Sequence, residues 1–540
     1  MKFSQLGCFA AQLLLAISPA SAFRPGQGTR QRIPPLRAKD VNRELVSEDR
    51  FSTSRVASGE PIIVEATFDQ LLDHGNPSLG TFKQRYWYNT EFYNGPGSPV
   101  VVNAPTEENG EYYTGFITNV TVVGAFAQAV GGAAVLLEHR YWGESSPYQN
   151  LTAETLQHLT LDNAVDDLIY FARNVSFLFD PESESKPDKA PWVLSGCSYA
   201  GALSAWVQAL APGTFWSYHC TSAVVEAIDD LWQYYAVIEE AMPRNCSADV
   251  QRVMRHVDAT LASGDEEKKK KKLKRRFGLE ELSDYDFATG IEGALSDEQY
   301  QLYNAGYGSF HQFCDYVENR WPGSEFPQPG EEGVGLCAAL KGYVKWFREI
   351  RFPGSCAQYP YWTKKDEIAC YVSDDNSPFY TDTSVNNAVN RQWQWMLCNE
   401  PFKWWAVAPP ADQPRLISNL STPDHQNSQC HLFFPLTNGH VVGIDQGRTT
   451  AMINERTGGW LNVSCGQTAA WIRGSPPPSP RDTGPAARSS PLPRRLCASC
   501  PTAEGSEAMQ VIKDQVQNMK EWVGEFYKEK GREWAGMPDN

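Results

Sequence analysis

The stretch that decides the fold is APWVLSGCSYAGALSAWVQAL, residues 190–210. Trp192 to Leu194 is a short apolar run of buried-strand type. It enters a tight Gly-Cys-Ser-Tyr-Ala-Gly segment and leaves with a helix-like pattern. That layout puts Ser198 at the tip of a sharp strand-to-helix turn, where a hydroxyl can act as a nucleophile. Backbones pass close in such a turn, so its neighbours must be small, and Gly196, Ala200 and Gly201 meet that need. The helix that follows aims its N-terminus at Ser198, which favours a developing oxyanion, with the Tyr199 N–H as one donor. A bare G-x-S-x-[G/A] match is common by chance in a long chain; the strand before it and the helix after it carry the weight.

Upstream, PVVVNA (Pro99 to Ala104) and AAVLLEH (Ala133 to His139) are further buried-strand runs. LDNAVDDLIYFARNV (Leu161 to Val175) has apolar residues at helical spacing, with Asp162 near its start and Arg173 near its end. Strands alternating with helices predict an α/β fold with a parallel sheet covered on both faces. From about 235 to 425 the texture turns to aromatic-rich amphipathic segments such as VGLCAALKGYVKWFREIRF (Val334 to Phe352), which reads as a mostly helical insertion. Within it, GDEEKKKKKLKRRFGL (Gly264 to Leu279) reads as a solvated helix or loop, the other reading being a processing site at Lys274-Arg275-Arg276. Residues 474–501 hold eight prolines and show no strand or helix pattern. AMQVIKDQVQNMKEWVGEFYKEK (Ala508 to Lys530) then resumes as an amphipathic helix.

The chain has 540 residues, enough for one large domain with a big insertion. Residues 1–22 read as a secretory signal, with Lys2, an apolar run from Phe9 to Ile17 and an Ala20-Ser21-Ala22 cleavage site. Residues 23–60 are polar and rich in Arg, Pro and Gly, as in a propeptide or flexible lead-in. No later stretch reaches the roughly 18 apolar residues of a membrane span. Six N-x-S/T sequons, at Asn119, Asn150, Asn174, Asn245, Asn419 and Asn462, predict a glycoprotein. Beyond Cys8 in the signal the chain has 12 cysteines at irregular spacing, which predicts disulfides rather than a zinc site. A formal net charge of −16 argues against a nucleic-acid partner.

Four segments occur in order: FDQLLDHGNPSLGTFKQRYWYN (Phe68 to Asn89), LLEHRYWGESSPY (Leu136 to Tyr148), LTLDNAVDDLIYFARN and SGCSYAGAL. Together they closely resemble the serine peptidase family of lysosomal Pro-X carboxypeptidase, dipeptidyl peptidase II and thymus-specific serine protease, above all its secreted fungal members. The resemblance covers about residues 60–465 and the terminal helix. It implies an α/β-hydrolase fold with a helical cap inserted after the nucleophile half: hydrolase residues 61–235, cap 236–425, hydrolase again 426–540. It implies a Ser-Asp-His triad acting through an acyl-enzyme on Ser198, no metal or other cofactor, and proline-containing peptides as substrates. Whether one C-terminal residue, an N-terminal dipeptide or an internal bond is released stays open, as does the choice between monomer and homodimer. NRQWQWMLCNEPF (Asn390 to Phe402) resembles the segment that shapes the proline pocket, where Trp393, Trp395 and Phe402 rings suit a flat pyrrolidine. Family members carry a Gly-Glu pair near the oxyanion hole; here the pair reads Thr106-Glu107. His74, Glu138, His139 and Arg140 lie in the resembling motifs but precede the nucleophile, and read as structural.

Serine is a weak nucleophile until a base takes its proton. In α/β hydrolases the acid and then the histidine follow the serine along the chain. The family's N-G-x-x-D-P-W and H-C-S-D segments would fall between about 465 and 507, and neither is present. No histidine follows His440. His425, His431 and His440, with Asp424 or Asp445, follow Ser198 but precede the expected acid segment. Residues 465–507 read as text from a displaced reading frame or splice boundary. The alternative is a family member without a triad, a peptide-binding glycoprotein. A lipase or esterase on the same fold is a third reading, from the turn at Ser198 alone.

Overall fold

The computed structural model describes residues 63–264, 267–293, 295, 309–365, 367–374, 376–400, 402–436, 442–457, 468–473, 487–491 and 507–534. The signal, the lead-in, Asn462, Cys465, Cys497, Cys500 and His440 lie outside the described residues.

Among the described residues the strands are β1 (Ile63–Leu71), β2 (Thr81–Asn89), β3 (Val100–Asn103), β4 (Ala133–Leu137), β5 (Trp192–Cys197), β6 (Ser217–Thr221), β7 (Thr468–Arg473) and β8 (Ala487–Pro491). They form one sheet in the order β1-β2-β4-β3-β5-β6-β7-β8. The helices are α1 (Val122–Val130), α2 (Leu161–Asn174), α3 (Tyr199–Leu210), α4 (Gln233–Ala241), α5 (Arg244–Leu261), α6 (Glu267–Phe277), α7 (Asp284–Ile291), α8 (Ser309–Val317), α9 (Leu336–Trp346), α10 (Pro378–Thr381), α11 (Arg391–Asn399), α12 (Pro423–Phe433), α13 (Thr450–Arg456) and α14 (Glu507–Glu529).

The expected parallel sheet is mixed. β4, β3, β5 and β6 run parallel, because helices carry the chain back between them. β1 and β2 are antiparallel neighbours, as a direct turn through residues 72–80 requires. β7 and β8 also run antiparallel. Ala487–Pro491 is therefore a paired strand where the sequence showed no strand pattern. It sits at the sheet edge, where a proline is tolerated.

Alternation along the strands sorts the core. Val101, Val193 and Leu136 pack with α1 and α14, while Val100, Val102, Val135, Leu137, Trp192 and Leu194 pack on the other face with α2, α3 and the cap. Both faces are covered, as the unbroken apolar runs require. Thr121 and Thr160 cap α1 and α2, accepting from the N–H groups of Gly124 and Asn163.

The insertion is helical as expected, with α4 to α12 between β6 and α13. Among the described residues three disulfides, Cys246–Cys314, Cys356–Cys370 and Cys398–Cys430, join residues between β6 and α13. The basic run forms α6, a solvated helix anchored by Leu273 and Phe277. Lys274 is buried, with Nζ donating to the Leu282 carbonyl at 2.8 Å, so cleavage there would require α6 to unwind. Sheet order, the crossover helices and the inserted cap make this an α/β-hydrolase fold.

Candidate active site

β5 passes into α3 with no loop between them, and Ser198 is the single residue of the corner. Its φ of 58° and ψ of −126° lie in a region that costs a non-glycine residue roughly 1–3 kcal/mol. Two main-chain bonds hold it there: Ser198 N–H donates to the Thr221 carbonyl at 3.0 Å, and Ala202 N–H donates to the Ser198 carbonyl at 2.9 Å. The small neighbours are required. A Cβ on Gly196 would stand 2.1 Å from the Ala200 carbonyl oxygen, and one on Gly201 would stand 2.9 Å from that of Thr221. Ser198 is fully buried, and its Oγ has no hydrogen-bond partner among the described residues. Tyr199 opens α3, so its N–H has no acceptor within the helix and can face a developing negative charge.

The Tyr199 side chain is locked from behind. His139 Nδ1 lies 2.9 Å from the Arg140 carbonyl, which can only accept, so that nitrogen carries the proton. His139 Nε2 then accepts from the Tyr199 hydroxyl at 2.9 Å. Burial pushes the His139 pKa down to about 4, which keeps it neutral. Burial, reinforced by the nearby Glu107 carboxyl, holds the Tyr199 hydroxyl well above its ordinary range. The remaining early motif residues are structural. Arg140 holds Asp167 with Nε and Nη2 at 2.7 and 2.5 Å, and His74 Nε2 is 2.9 Å from the same carboxylate. Glu138 takes Arg85, Ser145 and the Gly110 N–H.

Glu107 follows β3, whose Asn103 pairs with Ser195 of β5, so its loop lies beside the turn at Ser198. Glu107 is 5% exposed, and its carboxyl Oε2 is buried with no hydrogen-bond partner among the described residues. Burial, helped by Glu108 and Cys197, pushes its pKa up to about 8, so below that pH it is a neutral acid able to donate.

The expected pocket aromatics divide. Trp393 meets the Tyr199 ring edge-on at 5.1 Å. Phe402 is stacked on Trp393 and Trp206 and tilted on Trp404, fully buried, so it backs the wall rather than lining it. Trp395, two residues along α11, points elsewhere: its Nε1 donates to the Leu159 carbonyl and its ring meets Phe434. Two positions on a helix are about 200° apart, so Trp393 and Trp395 cannot share a wall. Sequence reading missed Trp206 and Trp404, whose rings stack at 6.0 Å behind Phe402, and Asn390 and Trp142, which meet at 2.9 Å.

No described histidine serves Ser198. His219 bonds Ser195 inside the sheet, His425 stacks on Tyr285, and His431 lies 3.8 Å from Asp445 with half its side chain exposed. Among the sequons, Asn150, Asn174 and Asn419 are exposed, while Asn119 and Asn245 are half-buried.

Comparison with known proteins adds three findings. A family model described as serine carboxypeptidase S28 matches residues 70–435. "Serine protease vicPb" of Bipolaris victoriae is 32% identical over 496 residues, covering 87% of this chain and 90% of that one. A "probable extracellular serine carboxypeptidase" of Arthroderma benhamiae is 26% identical, covering 81% of this chain and 60% of that one.

Proposed function

The chain belongs to the serine carboxypeptidase S28 family, and we propose that it is an exported serine-type peptidase that cleaves peptides beside proline. The observation that carries this reading is the apposition of Trp393 and Tyr199 next to the strained Ser198. A flat apolar ring has a flat apolar partner there, one residue from the attacking oxygen. In the proposed cycle Ser198 Oγ attacks the proline carbonyl carbon. The oxyanion is received by the Tyr199 N–H and the neutral Glu107 carboxyl. The proton that Ser198 Oγ gives up passes to the leaving amine as the C–N bond breaks, and a water then adds its hydroxyl to the acyl carbon and returns a proton to Ser198 Oγ as the acid is released. Export is supported by the signal-like residues 1–22 and the three disulfides. Among the described residues no helix is long and apolar enough to cross a membrane.

The test compares two peptides that differ only in proline or alanine before the scissile bond, at pH 4 to 8. Expected is a strong preference for proline, with Ser198→Ala lowering turnover on the order of 10⁴- to 10⁶-fold. Equal cleavage of both peptides, or undiminished cleavage by the variant, overturns the proposal.

A second reading is favoured by the unpartnered Ser198 Oγ and the lack of any histidine after His440. In it the protein binds proline-containing peptides without cutting them. Saturable binding with no turnover, from a transcript that matches the sequence through codons 464–507, supports it. A transcript encoding an Asp and then a His in that interval restores the first reading.

A further inference from the structure

Asn390 stands at the start of α11 in an unusual state. Its φ of 53° and ψ of 54° are left-handed, a conformation asparagine tolerates better than most residues. An asparagine at a helix start ordinarily turns its side chain onto the first free N–H groups. Here the Asn390 side chain makes no such bond, and Asn387 Oδ1 takes the Arg391 N–H at 2.8 Å instead. The Asn390 amide crosses to the hydrolase body: Nδ2 donates to the Glu107 carbonyl at 2.9 Å, and Oδ1 accepts from Trp142 Nε1 at 2.9 Å. A carbonyl only accepts and an indole N–H only donates, so the site needs one donor and one acceptor on a single short side chain. Trp142 packs edge-on to His139 at 4.6 Å, and His139 holds the Tyr199 hydroxyl. Three residues beyond Asn390, Trp393 presents its ring to Tyr199.

We propose that Asn390 is a positioning residue that fixes the gap between the Trp393 ring and the Glu107 loop, and thereby sets the enzyme's selectivity for proline. One side chain ties the cap helix that carries the aromatic wall to the Glu107 loop that follows β3. The left-handed backbone and the unused cap are local costs that this tie explains. The proposal rests on the proline-directed reading of the Ser198 site.

The test uses Asn390→Asp, which keeps the size of the side chain and the acceptor for Trp142 but loses the donor to Glu107. Trp142→Phe removes only the other half of the tie. Both are measured in the full chain with the proline and alanine peptides and with a small activated ester that acylates Ser198 without filling the aromatic wall. Asn390→Asp should raise KM for the proline peptide and cut the proline-over-alanine ratio of kcat/KM by about 10- to 100-fold, the usual effect of a small misplacement at a reacting centre. Ester turnover should change by less than about twofold, and the melting temperature by no more than about 3 °C. Trp142→Phe should act in the same direction, and the double variant should fall short of the product of the singles, as for groups in one network. Unchanged selectivity in Asn390→Asp, or parallel loss of peptide and ester turnover, overturns the proposal. A native chain without proline preference refutes instead the reading it rests on. Should the native chain bind without cutting, the same ratio is read from the two peptides' dissociation constants.

Discussion

The Tyr199 hydroxyl donates to His139 Nε2 at 2.9 Å, so the residue that follows the nucleophile is held by a neutral imidazole buried in the hydrolase body. The bond ties the start of α3 to the turn after β4. Tyr199→Phe leaves the His139 nitrogen buried without its donor and should cost about 1–3 kcal/mol in denaturant unfolding. Its KM on peptides should shift with it, because the ring that meets Trp393 loses its tether.

The same pair makes stability sensitive to acid. The folded His139 pKa lies near 4, below the ordinary 6.5, so the neutral form is favoured by folding. Its contribution is complete above about pH 6.5 and is lost as pH falls through 4. A His139→Gln variant, which cannot protonate, should unfold less steeply with acid over that window. An unaltered slope would show that other groups govern acid unfolding.

Glu107 acts with the opposite sign. Its folded pKa is raised to about 8, so the neutral carboxyl persists through acidic and neutral solution and ionises only above that. A carboxylate beside Ser198 would oppose the oxyanion, so kcat/KM should fall as pH passes about 8. Glu107→Gln keeps a donor and cannot ionise; it should retain activity within about tenfold and lose this alkaline limb. A limb unmoved by the variant would assign it elsewhere.

In the cap, Glu318 is 2% exposed and faces Asp249, which already accepts the N–H groups of Val334 and Gly335 and an Arg252 nitrogen. Burial, then the Asp249 charge, raises Glu318 to about 8, while Asn245 and Arg252 work against the shift. Protonated Glu318 is favoured by folding, so its contribution is complete below about pH 4.5 and is lost as pH rises through 8. One such proton gives a slope of up to about 1.4 kcal/mol per pH unit. Glu318→Gln should flatten thermal stability between pH 5 and 8, read by calorimetry.

The turn at Ser198 is also open to a steric test. Gly196→Ala places a methyl against the Ala200 carbonyl, backbone against backbone, where no side chain can yield. Overpacking of that kind should cost about 3 kcal/mol or more and abolish activity together with the fold.

The parts of this molecule legible in sequence are those where one local pattern serves one purpose. Trp192 to Leu194, Leu161 to Val175 and Ala508 to Lys530 became β5, α2 and α14 with small shifts of boundary. Gly196 and Gly201 announced their turn because no other residue fits. What stayed hidden depends on tertiary contacts. Trp393 and Trp395 look equivalent in sequence, and only the rotation of α11 sends one to Tyr199 and the other to Leu159. Nothing in the sequence sets Asn390 apart, and only the approach of Glu107 and Trp142 gives it a use. The antiparallel run of β7 follows from pairing with β6, and that of β8 from pairing with β7, which composition does not encode.

α14 closes one face of the sheet from far along the chain. Trp216 Nε1 donates to the Trp522 carbonyl, 306 residues later, and Tyr527 donates to the Gly97 carbonyl at 2.6 Å. A ribosome adding about 5–20 residues per second needs roughly 15–60 s to cover that interval. Throughout it, the apolar side of β3 and β5 that α14 will cover is already made and still uncovered. The nascent chain therefore carries an open, adhesive surface while the whole cap is being synthesised. Its yield in a cell should depend on chaperone capacity and translation speed more than on the stability of the finished protein.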